Sequence, residues 1–428
     1  MLGIDFHRER SPNDSDGGEP TPSRAPGRGG FAALRHPNYR LWFWGQMVSL
    51  FGTWMQTTAQ GYLIFVLTHS ALYLGYAAFA QGVSIWLLML YGGVIADRVP
   101  RRTLLIITQS SMMLLAFVLA ALTFLHLVQA WHIIVLSFFL GVANAFDAPA
   151  RQSFLLEMVD REDLTNAIAL NSTMFNTATA IGPAAGGLAY AALGPGWCFM
   201  VNGFTFLAVI FSLARMKIKP MAQVARRTPA LKSIIEGVRY VRDHSVIVAI
   251  TAMVTVLSLF GISYGTLFPL WAVRILGGDA TTNGFLQSFR GIGSLIGAFV
   301  IVLLGRFQFK GKMFTLGTFG FPISLVAFSF IRGLPGSAAV LLFAGAAQIL
   351  ILNIANALIQ METADEVRGR VMSVYMLNFF GFMPVGGLIA GALAASLTAP
   401  AAIRIGGVIC LAAAIVMRWV APRVNALP

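Results

Sequence analysis

Long apolar stretches follow one another from Asn38 almost to the end of the chain, and short polar breaks separate them. Each stretch has about 18 to 28 residues, and a membrane-spanning helix needs about 20. Lipid offers no hydrogen-bond partner to a bare backbone amide, so each stretch must be helical. The pattern predicts an all-α integral membrane protein with twelve spans, at 40–66, 71–96, 103–125, 131–150, 167–192, 197–215, 246–271, 282–304, 313–331, 337–360, 372–396 and 401–420.

The polar breaks divide the chain into five parts. Residues 1–36 are rich in Pro, Gly, Ser and Asp and have no apolar run, which predicts a disordered tail that is not a signal peptide. The longest break is basic and follows span 6, and the spacing of Ile234, Ile235, Val238 and Val241 in it predicts an amphipathic helix at the membrane interface. The predicted parts are the tail 1–36, a six-helix bundle 37–216, a linker 217–245, a second bundle 246–420 and a tail 421–428.

The composition excludes several classes of protein. Hydrophobic residues make up 57% of the chain and charged residues 11%, against about 25% charged in soluble domains. A soluble enzyme, a disordered protein and a DNA-binding module are therefore excluded. Two cysteines, Cys198 and Cys410, are too few for a disulfide scaffold and have no metal-site spacing, so they are interpreted as small buried hydrophobic residues.

The basic residues predict the orientation. If the N-terminus is cytoplasmic, 26 of the 30 Lys and Arg residues lie in the tails and the inside loops. Arg274, Arg332 and Arg404 lie outside, and Arg290 lies within span 8. This asymmetry predicts two cytoplasmic termini in a bacterial inner membrane. The net charge of +13 then faces anionic lipid headgroups, and no nucleic-acid partner is needed to explain it.

The two halves contain similar segments about 200 residues apart. Span 5 carries Gly182-Pro183-Ala184-Ala185-Gly186-Gly187, and span 11 carries Met383-Pro384-Val385-Gly386-Gly387. Two equivalent six-helix halves favour alternating access around a central site.

A motif between spans 2 and 3 resembles a family signature. Gly93-Val-Ile-Ala-Asp97-Arg98-Val-Pro-Arg101-Arg102 matches G-x-x-x-D-R-x-x-R-R of the major facilitator superfamily at the expected place. Asp147-Ala-Pro149-Ala-Arg151 and Arg368-Gly369-Arg370 resemble its enterobactin-exporter and macrolide-efflux branch. The resemblance runs from about Leu34 to Val420. It implies two pseudo-symmetric six-helix bundles forming a secondary transporter that needs no cofactor.

The resemblance also implies a gate at the cytoplasmic side. Its candidate residues are Gly93, Asp97, Arg98, Arg101, Arg102, Asp147, Arg151 and Arg370. Asp97 is expected to stabilise the N-terminus of span 11 when that side is closed, whereas the positive-inside rule alone could explain Arg101 and Arg102. Asp147 either pairs locally with Arg151 or is a protonatable gate residue, and Pro149 predicts that the helix ends between them.

The glycines of span 5 have two interpretations. Gly182, Pro183, Gly186 and Gly187 resemble the core of an exporter and antiporter motif, although Ala178 stands where the fuller motif has another Gly. Close helix packing without directional meaning is the alternative.

Arg290 is the first candidate for substrate contact. At roughly 12 Å from the outer end of span 8, it either snorkels outward or faces the central cavity beside Gln287. Spans 1, 4, 7 and 10 line the cavity in the family, which adds the candidates Gln56, Asn144, Tyr264 and Asn353.

The sequence lacks several chemical signatures. No Asp or Glu lies in the middle of a span, so proton coupling depends on edge carboxylates such as Asp97, Asp147 or Glu362, or it differs from the family. There is no ATP-binding P-loop pattern, no metal-ligand spacing and no nucleophile–base arrangement.

The function predicted from the resemblance is proton-coupled efflux of an amphipathic small molecule, such as a siderophore, a macrolide or another drug, by a monomer. An importer of a small organic solute is one alternative. A non-transporting membrane sensor or assembly partner is another, and an enzyme is not expected.

Overall fold

A computed structural model describes residues 30–217, 230–304 and 309–427. Residues 1–29 of the predicted tail and 218–229 of the predicted linker therefore lie outside the described residues. The described helices are α1 (Pro37–Thr68), α2 (Ala71–Arg98), α3 (Arg101–Phe124), α4 (Ala130–Phe154), α5 (Leu164–Leu193), α6 (Pro195–Arg215), α7 (Ala230–Asp243), α8 (Ser245–Ile275), α9 (Ala280–Leu304), α10 (Lys310–Phe328), α11 (Leu334–Met361), α12 (Arg368–Ser396) and α13 (Ala399–Val420).

The predicted twelve-span fold is confirmed. Within the described ranges, ten helices are long and apolar enough to cross a membrane by length and composition. The other two, α1 and α5, have 32 and 30 residues and carry polar amides such as Gln60 and Asn171. Helix α7, with 14 residues, joins the two halves. Spans 7 to 12 of the sequence correspond to α8 to α13.

Helix α8 changes its winding near its own middle. It is α-helical over Ser245–Val256, π-helical over Leu257–Gly261 and 3-10 helical over Ile262–Leu267. Such changes leave carbonyls without their usual donors and often mark functional positions. Glycines of neighbouring helices cover two of these carbonyls, because Cβ atoms on Gly386 and Gly406 would lie 2.4 and 2.3 Å from the oxygens of Leu259 and Phe260.

The prediction that Pro149 ends the fourth helix is wrong. Helix α4 continues through Pro149 to Phe154. Proline removes the donor for the carbonyl four residues earlier, which belongs to Ala145. That carbonyl instead faces α2, where a Cβ on Gly92 would lie 2.1 Å from its oxygen. The close approach of α2 keeps the interrupted helix intact.

The two halves meet along two seams, and the first joins α2 to α12. Cβ atoms on Gly75 and Gly391 would lie 3.0 and 2.7 Å from the carbonyl oxygens of Gly387 and Ala71, and one on Gly82 would lie 2.0 Å from the Pro384 ring. These residues belong to the first half of α2 and the last half of α12.

The second seam joins α5 to α9. Cβ atoms on Gly284 and Gly291 would lie 2.4 and 2.5 Å from the oxygens of Pro183 and Thr179, and one on Gly187 would lie 2.5 Å from the oxygen of Ala280. Both seams thus lie toward the end of the bundle at which α1 ends and α9 begins. We call it the far end, and we call the opposite end, which carries the predicted cytoplasmic loops, the basic end.

Two glycines at the basic end contact neither half. Apart from their own helices, no described atom lies within 4 Å of a Cβ built on Gly93 in α2 or on Gly369 in α12. The same two helices touch at the far end and as far as Trp86 and Gly381 near their middles.

Helix α7 is attached to the second half. Glu236 pairs with Arg370 of α12 at 2.9 Å, and a Cβ on Gly237 would lie 2.7 Å from the Arg370 carbonyl oxygen. The Tyr240 and Val241 side chains pack on the apolar core of that half, whereas Ile235 and Val238 are exposed.

We expect Gly284→Ala to destabilise the protein. The new methyl group would meet the backbone of α5, at 2.4 Å from the Pro183 oxygen and 3.1 Å from the Gly187 Cα, and overpacking of this kind costs about 1 to 3 kcal/mol. Thermal unfolding of the detergent-purified protein, followed by tryptophan fluorescence, should show a lower Tm.

Gly320→Ala is the matched control for this prediction. Its nearest neighbours are atoms of the Phe343 ring at 3.4 and 3.5 Å, so Ala fits and improves helix propensity by about 1 kcal/mol. Equal Tm changes in the two variants would contradict the role assigned to the seam.

Candidate functional site

Arg290 lies in the middle of α9, beside Gly291, which contacts α5 in the second seam. Its guanidinium rests on the irregular part of α8, where Nη1 would lie 3.0 Å from a Cβ on Gly265 and Cζ lies 5.7 Å from the centre of the Phe268 ring. The residue is half-buried. Among the described residues no carboxylate pairs with it.

The face of α9 that carries Arg290 also crosses to the first half. Gln287 Oε1 accepts a hydrogen bond from Thr58 Oγ1 at 3.4 Å, and Asn283 Nδ2 donates to the Thr58 carbonyl at 3.4 Å. Gln287 Nε2 also donates to Asn283 Oδ1 at 3.3 Å. These bonds join α1 to α9 on the far-end side of Arg290.

Gln56 takes part in a different network, inside the first half. Its Oε1 accepts from Asn202 Nδ2 of α6 at 2.7 Å, and its Nε2 donates to Gln60 Oε1 at 3.5 Å. Gln60 Nε2 in turn donates to Ser137 Oγ of α4 at 2.8 Å. The Gln56 amide is thus committed to helix–helix bonds in this conformation, whereas its neighbour Thr57 is exposed.

The remaining candidates for substrate contact have different surroundings. Asn144 is half-buried and lies seven residues, about two turns, from Ser137 on the same face of α4, with Nδ2 donating to the Leu140 carbonyl at 2.9 Å. Asn353 of α11 is exposed. Tyr264 is buried among Phe268, Phe321 and Phe328, and its hydroxyl has no hydrogen-bond partner among the described residues.

The glycines of α5 lie between two helices. Cβ atoms on Gly182 and Gly186 would lie 2.6 Å from Trp54 Cβ and 2.8 Å from Met55 Cα of α1. Pro183 and Gly187 face α9 in the seam already described. The backbone N–H of Ala184 also donates to Ser288 Oγ of α9 at 2.9 Å. The motif thus joins α1 of its own half to α9 of the other.

The motif at the inner end of α2 and α3 is at the basic end. Asp97 and Arg98 are the last residues of α2, and Arg98 is exposed, whereas the side chain of Asp97 lies outside the described atoms. Arg101 pairs with Glu157 at 2.6 Å. Arg102 donates from Nη2 to the Ala214 carbonyl at 2.7 Å, where a cation stabilises the negative C-terminal end of α6.

Asp147 is a buried carboxylate with several donors. Its Oδ1 accepts from Thr108 Oγ1 at 2.9 Å and from Gln109 Nε2 at 2.8 Å, both on α3. Its Oδ2 lies 3.7 Å from Arg151 Nε, one turn along α4. Through these contacts Asp147 binds α3 to α4.

The far end has a contact that the sequence did not indicate. Arg274, at the end of α8, donates from Nη2 to the carbonyl of His69 at 2.6 Å, and its Cζ lies 5.8 Å from the Phe65 ring. His69 follows α1 in a left-handed conformation with φ of 50°. Arg274 thus caps the C-terminus of a helix in the other half, where a cation is favoured.

Several contacts were missed for a common reason. Asn283, Thr58 and Arg274 act across the halves, and their partners are 205 to 229 residues away along the chain. For the bonds between Thr58 and α9, the sequence did offer a signal, because the spacing of Asn283, Gln287 and Arg290 places them on one face of a helix. Within the described ranges, no three His, Cys, Asp or Glu side chains come together to hold a metal.

Known proteins with similar sequences span almost the whole chain. The family model described as transmembrane secretion effector matches residues 28–427. The staphyloferrin A transporter of Staphylococcus aureus is 26% identical over 358 residues, covering 82% of this chain and 88% of the relative. The enterobactin exporter EntS of Shigella boydii is 23% identical over 381 residues, covering 87% and 89%.

Solved structures share the fold at low identity. A bacterial homologue of the human lysosomal transporter Spinster, in an inward-facing and unoccupied conformation, has a TM-score of 0.69 at 12% identity, covering 92% of this chain and 96% of that chain. The nucleoside transporter NupG has a TM-score of 0.70 at 12% identity, covering 90% and 98%.

We expect Arg274→Gln to open the far end. The variant loses a charged cap on α1 that only the closed far end provides, so the population should shift toward a far-end-open form. Spin labels at Leu127→Cys and Leu397→Cys, both exposed at the far end of opposite halves, would report a longer distance. The two native cysteines are buried and should escape labelling.

Arg404→Gln is the matched control. Arg404 Nε donates to Ser329 Oγ of α10 at 3.3 Å, within its own half, so the label distances should stay unchanged. Equal distance distributions in the wild type and in Arg274→Gln would contradict a cross-half latch.

Proposed function

The chain belongs to the transmembrane secretion effector family of the major facilitator superfamily and is a multi-pass membrane transporter, and from this membership we propose that it exports an amphipathic small molecule by proton-coupled alternating access. Its relatives are named for staphyloferrin A and enterobactin. The proposed substrate is accordingly a siderophore, a macrolide or another drug of that size and character.

One observation carries the proposal. The two halves touch along glycine seams at the far end, whereas Gly93 and Gly369 at the basic end contact neither half, and Arg290 lies beside Gly291 at the end of the second seam. A binding site reached from one side at a time is what alternating access requires. Rocking the halves about the site would close the basic end and open the far end.

We propose that the basic end faces the cytoplasm of a bacterium, at its inner membrane. The excess of Lys and Arg at this end supports that orientation, and both termini would then be cytoplasmic. The described conformation would be the one that loads an export substrate from the cytoplasm. The halves 37–216 and 246–420 would move as two bodies joined by the linker 217–245, in a protein that works as a monomer among anionic lipids.

Closure of the basic end is assigned to its charged residues. Asp97 and Arg98 end α2, and Cβ atoms on Gly93 of α2 and on Gly369 at the N-terminus of α12 would contact no other element. A carboxylate is favoured at a helix N-terminus, so the proposed latch joins Asp97 to α12. Arg101, Arg102, Asp147 and Arg151 would hold α2, α3, α4 and α6 in register around it, and Arg370 would hold α12.

The substrate contacts are assigned to polar groups within the spans. Arg290 and Gln287 are the first candidates, followed by Asn144 and Asn353. Gln56 and Tyr264 would contribute only if their present contacts rearrange, because one is bonded to α6 and the other is buried.

Inside-out vesicles with a respiration-driven proton gradient test the proposal. With a quenched dye as reporter, we expect staphyloferrin A, enterobactin or erythromycin to cause dequenching that depends on this protein. Asp97→Asn should abolish the signal, because a neutral amide cannot stabilise the helix N-terminus as a carboxylate does. Asp243→Asn, at an exposed acid on α7, is the matched control and should keep it.

Transport of labelled compound in the direction opposite to the prediction would favour an importer. If no labelled compound moves in either direction, the exporter proposal fails and a sensor or assembly role gains support.

A further inference from the structure

We infer that the substrate carries a carboxylate group, and that this group binds the Arg290 guanidinium at the junction of α8 and α9. The inference rests on the proposed transport function and adds the chemical class of the substrate. It follows from what surrounds Arg290 and from what is missing around it.

The first step is the unbalanced charge of Arg290. The residue is the eleventh of α9 and thus about 15 Å along the helix, deep in the apolar part of a bilayer. A charged side chain in a span is expensive and is normally paired or functional. Within the described ranges no acid pairs with Arg290, and the acids nearest to mid-membrane in the sequence are at the basic end. The charge is therefore left for a group that the protein does not supply.

The second step is how the guanidinium is held. It lies on the backbone side of Gly265, where a larger residue would meet Nη1 at 3.0 Å, and it faces the ring of Phe268 at 5.7 Å. A cation over an aromatic ring keeps part of its stabilisation without using its N–H donors. The guanidinium N–H groups thus remain available. They lie in one plane, and two of them can donate in parallel to the two oxygens of a carboxylate.

The third step is a second unused donor in the same place. The Tyr264 hydroxyl is buried and has no partner among the described residues, and the Tyr264 ring packs on Phe268, the same ring that the Arg290 guanidinium faces. Buried polar groups normally have partners. Two adjacent side chains that lack acceptors point to an acceptor-rich ligand, and a carboxylate has four lone-pair positions to offer.

The fourth step excludes the neighbouring amides as the missing partner. Gln287 and Asn283 are bonded to each other and to Thr58 across the closed seam. These bonds join α1 to α9 on the far-end side of Arg290, and neither amide oxygen accepts a hydrogen bond from the guanidinium. Ser294 Oγ donates to the Arg290 carbonyl at 3.1 Å and does not reach the guanidinium by that bond.

Thermal stability of the purified protein tests the inference without transport. The probes are pyrenebutyrate, an amphipathic carboxylate, and its uncharged methyl ester. A ligand that binds the folded state raises Tm, so pyrenebutyrate should raise the Tm of the wild type and the ester should not. Arg290→Met should abolish the rise, and Arg290→Lys should keep it with roughly tenfold weaker affinity, because an ammonium lacks the planar fork.

Two further variants separate binding from folding. Tyr264→Phe keeps the ring and removes the free hydroxyl, so it should weaken pyrenebutyrate binding without lowering Tm in the absence of the probe. Without any probe, Arg290→Met should be at least as stable as the wild type, because it removes an unpaired cation from the membrane interior. A fall in its Tm would indicate a structural role for Arg290.

The inference is overturned if pyrenebutyrate fails to stabilise the wild type, if the ester stabilises it equally, or if Arg290→Met binds the carboxylate as well as the wild type does. Stabilisation by the carboxylate together with silent vesicles would preserve the anion site and refute proton-coupled export. The two proposals can therefore fail separately.

Discussion

The close backbone contact between the halves is the constraint on which the rest depends. In a bilayer no hydrophobic force drives one helix onto another, so helices associate through tight packing and through hydrogen bonds. Here the glycines of α2, α5, α9 and α12 bring backbone against backbone at the far end. Contacts of this kind are short in range and are lost together when the helices tilt, which suits a closure that must be reversible. Pro183 and Pro384 occupy equivalent places in the two seams, as the repeat requires.

The polar side chains of the spans divide into groups that hold helices together and a group that does not. Gln56, Gln60, Asn202 and Ser137 form a network within the first half, and Asp147 is surrounded by donors from α3 and α4. These groups offset their own desolvation with local bonds. Arg290 does not, and the irregular winding of α8 gives it a surface of backbone and ring instead of an acid. That contrast is the basis for the proposed carboxylate site at Arg290.

The sequence predicts what depends on local chain chemistry. Apolar length defines the twelve spans, and the G-x-x-x-D-R-x-x-R-R motif together with span 5 indicates the family. The sequence predicts less about contacts whose partners lie far away along the chain. The predicted end of α4 at Pro149 was wrong because Gly92, on another helix, covers the carbonyl that Pro149 leaves free. The winding of α8 was missed because its free carbonyls are covered by Gly386 and Gly406, more than a hundred residues away. Polarity selected Gln56, but only the packing of α6 decides where its amide points.

The two ends of the bundle carry different chemistry. At the far end, uncharged backbone contacts are reinforced by one guanidinium on a helix C-terminus. At the basic end, Glu236 of α7 pairs with Arg370 of α12, so α7 belongs to the second half. Arg370 is engaged on that side, whereas a Cβ on Gly369 would have no described atom of another element within 4 Å. In the proposed closure, α12 could therefore present its N-terminus to α2 while α7 keeps its contact with Arg370.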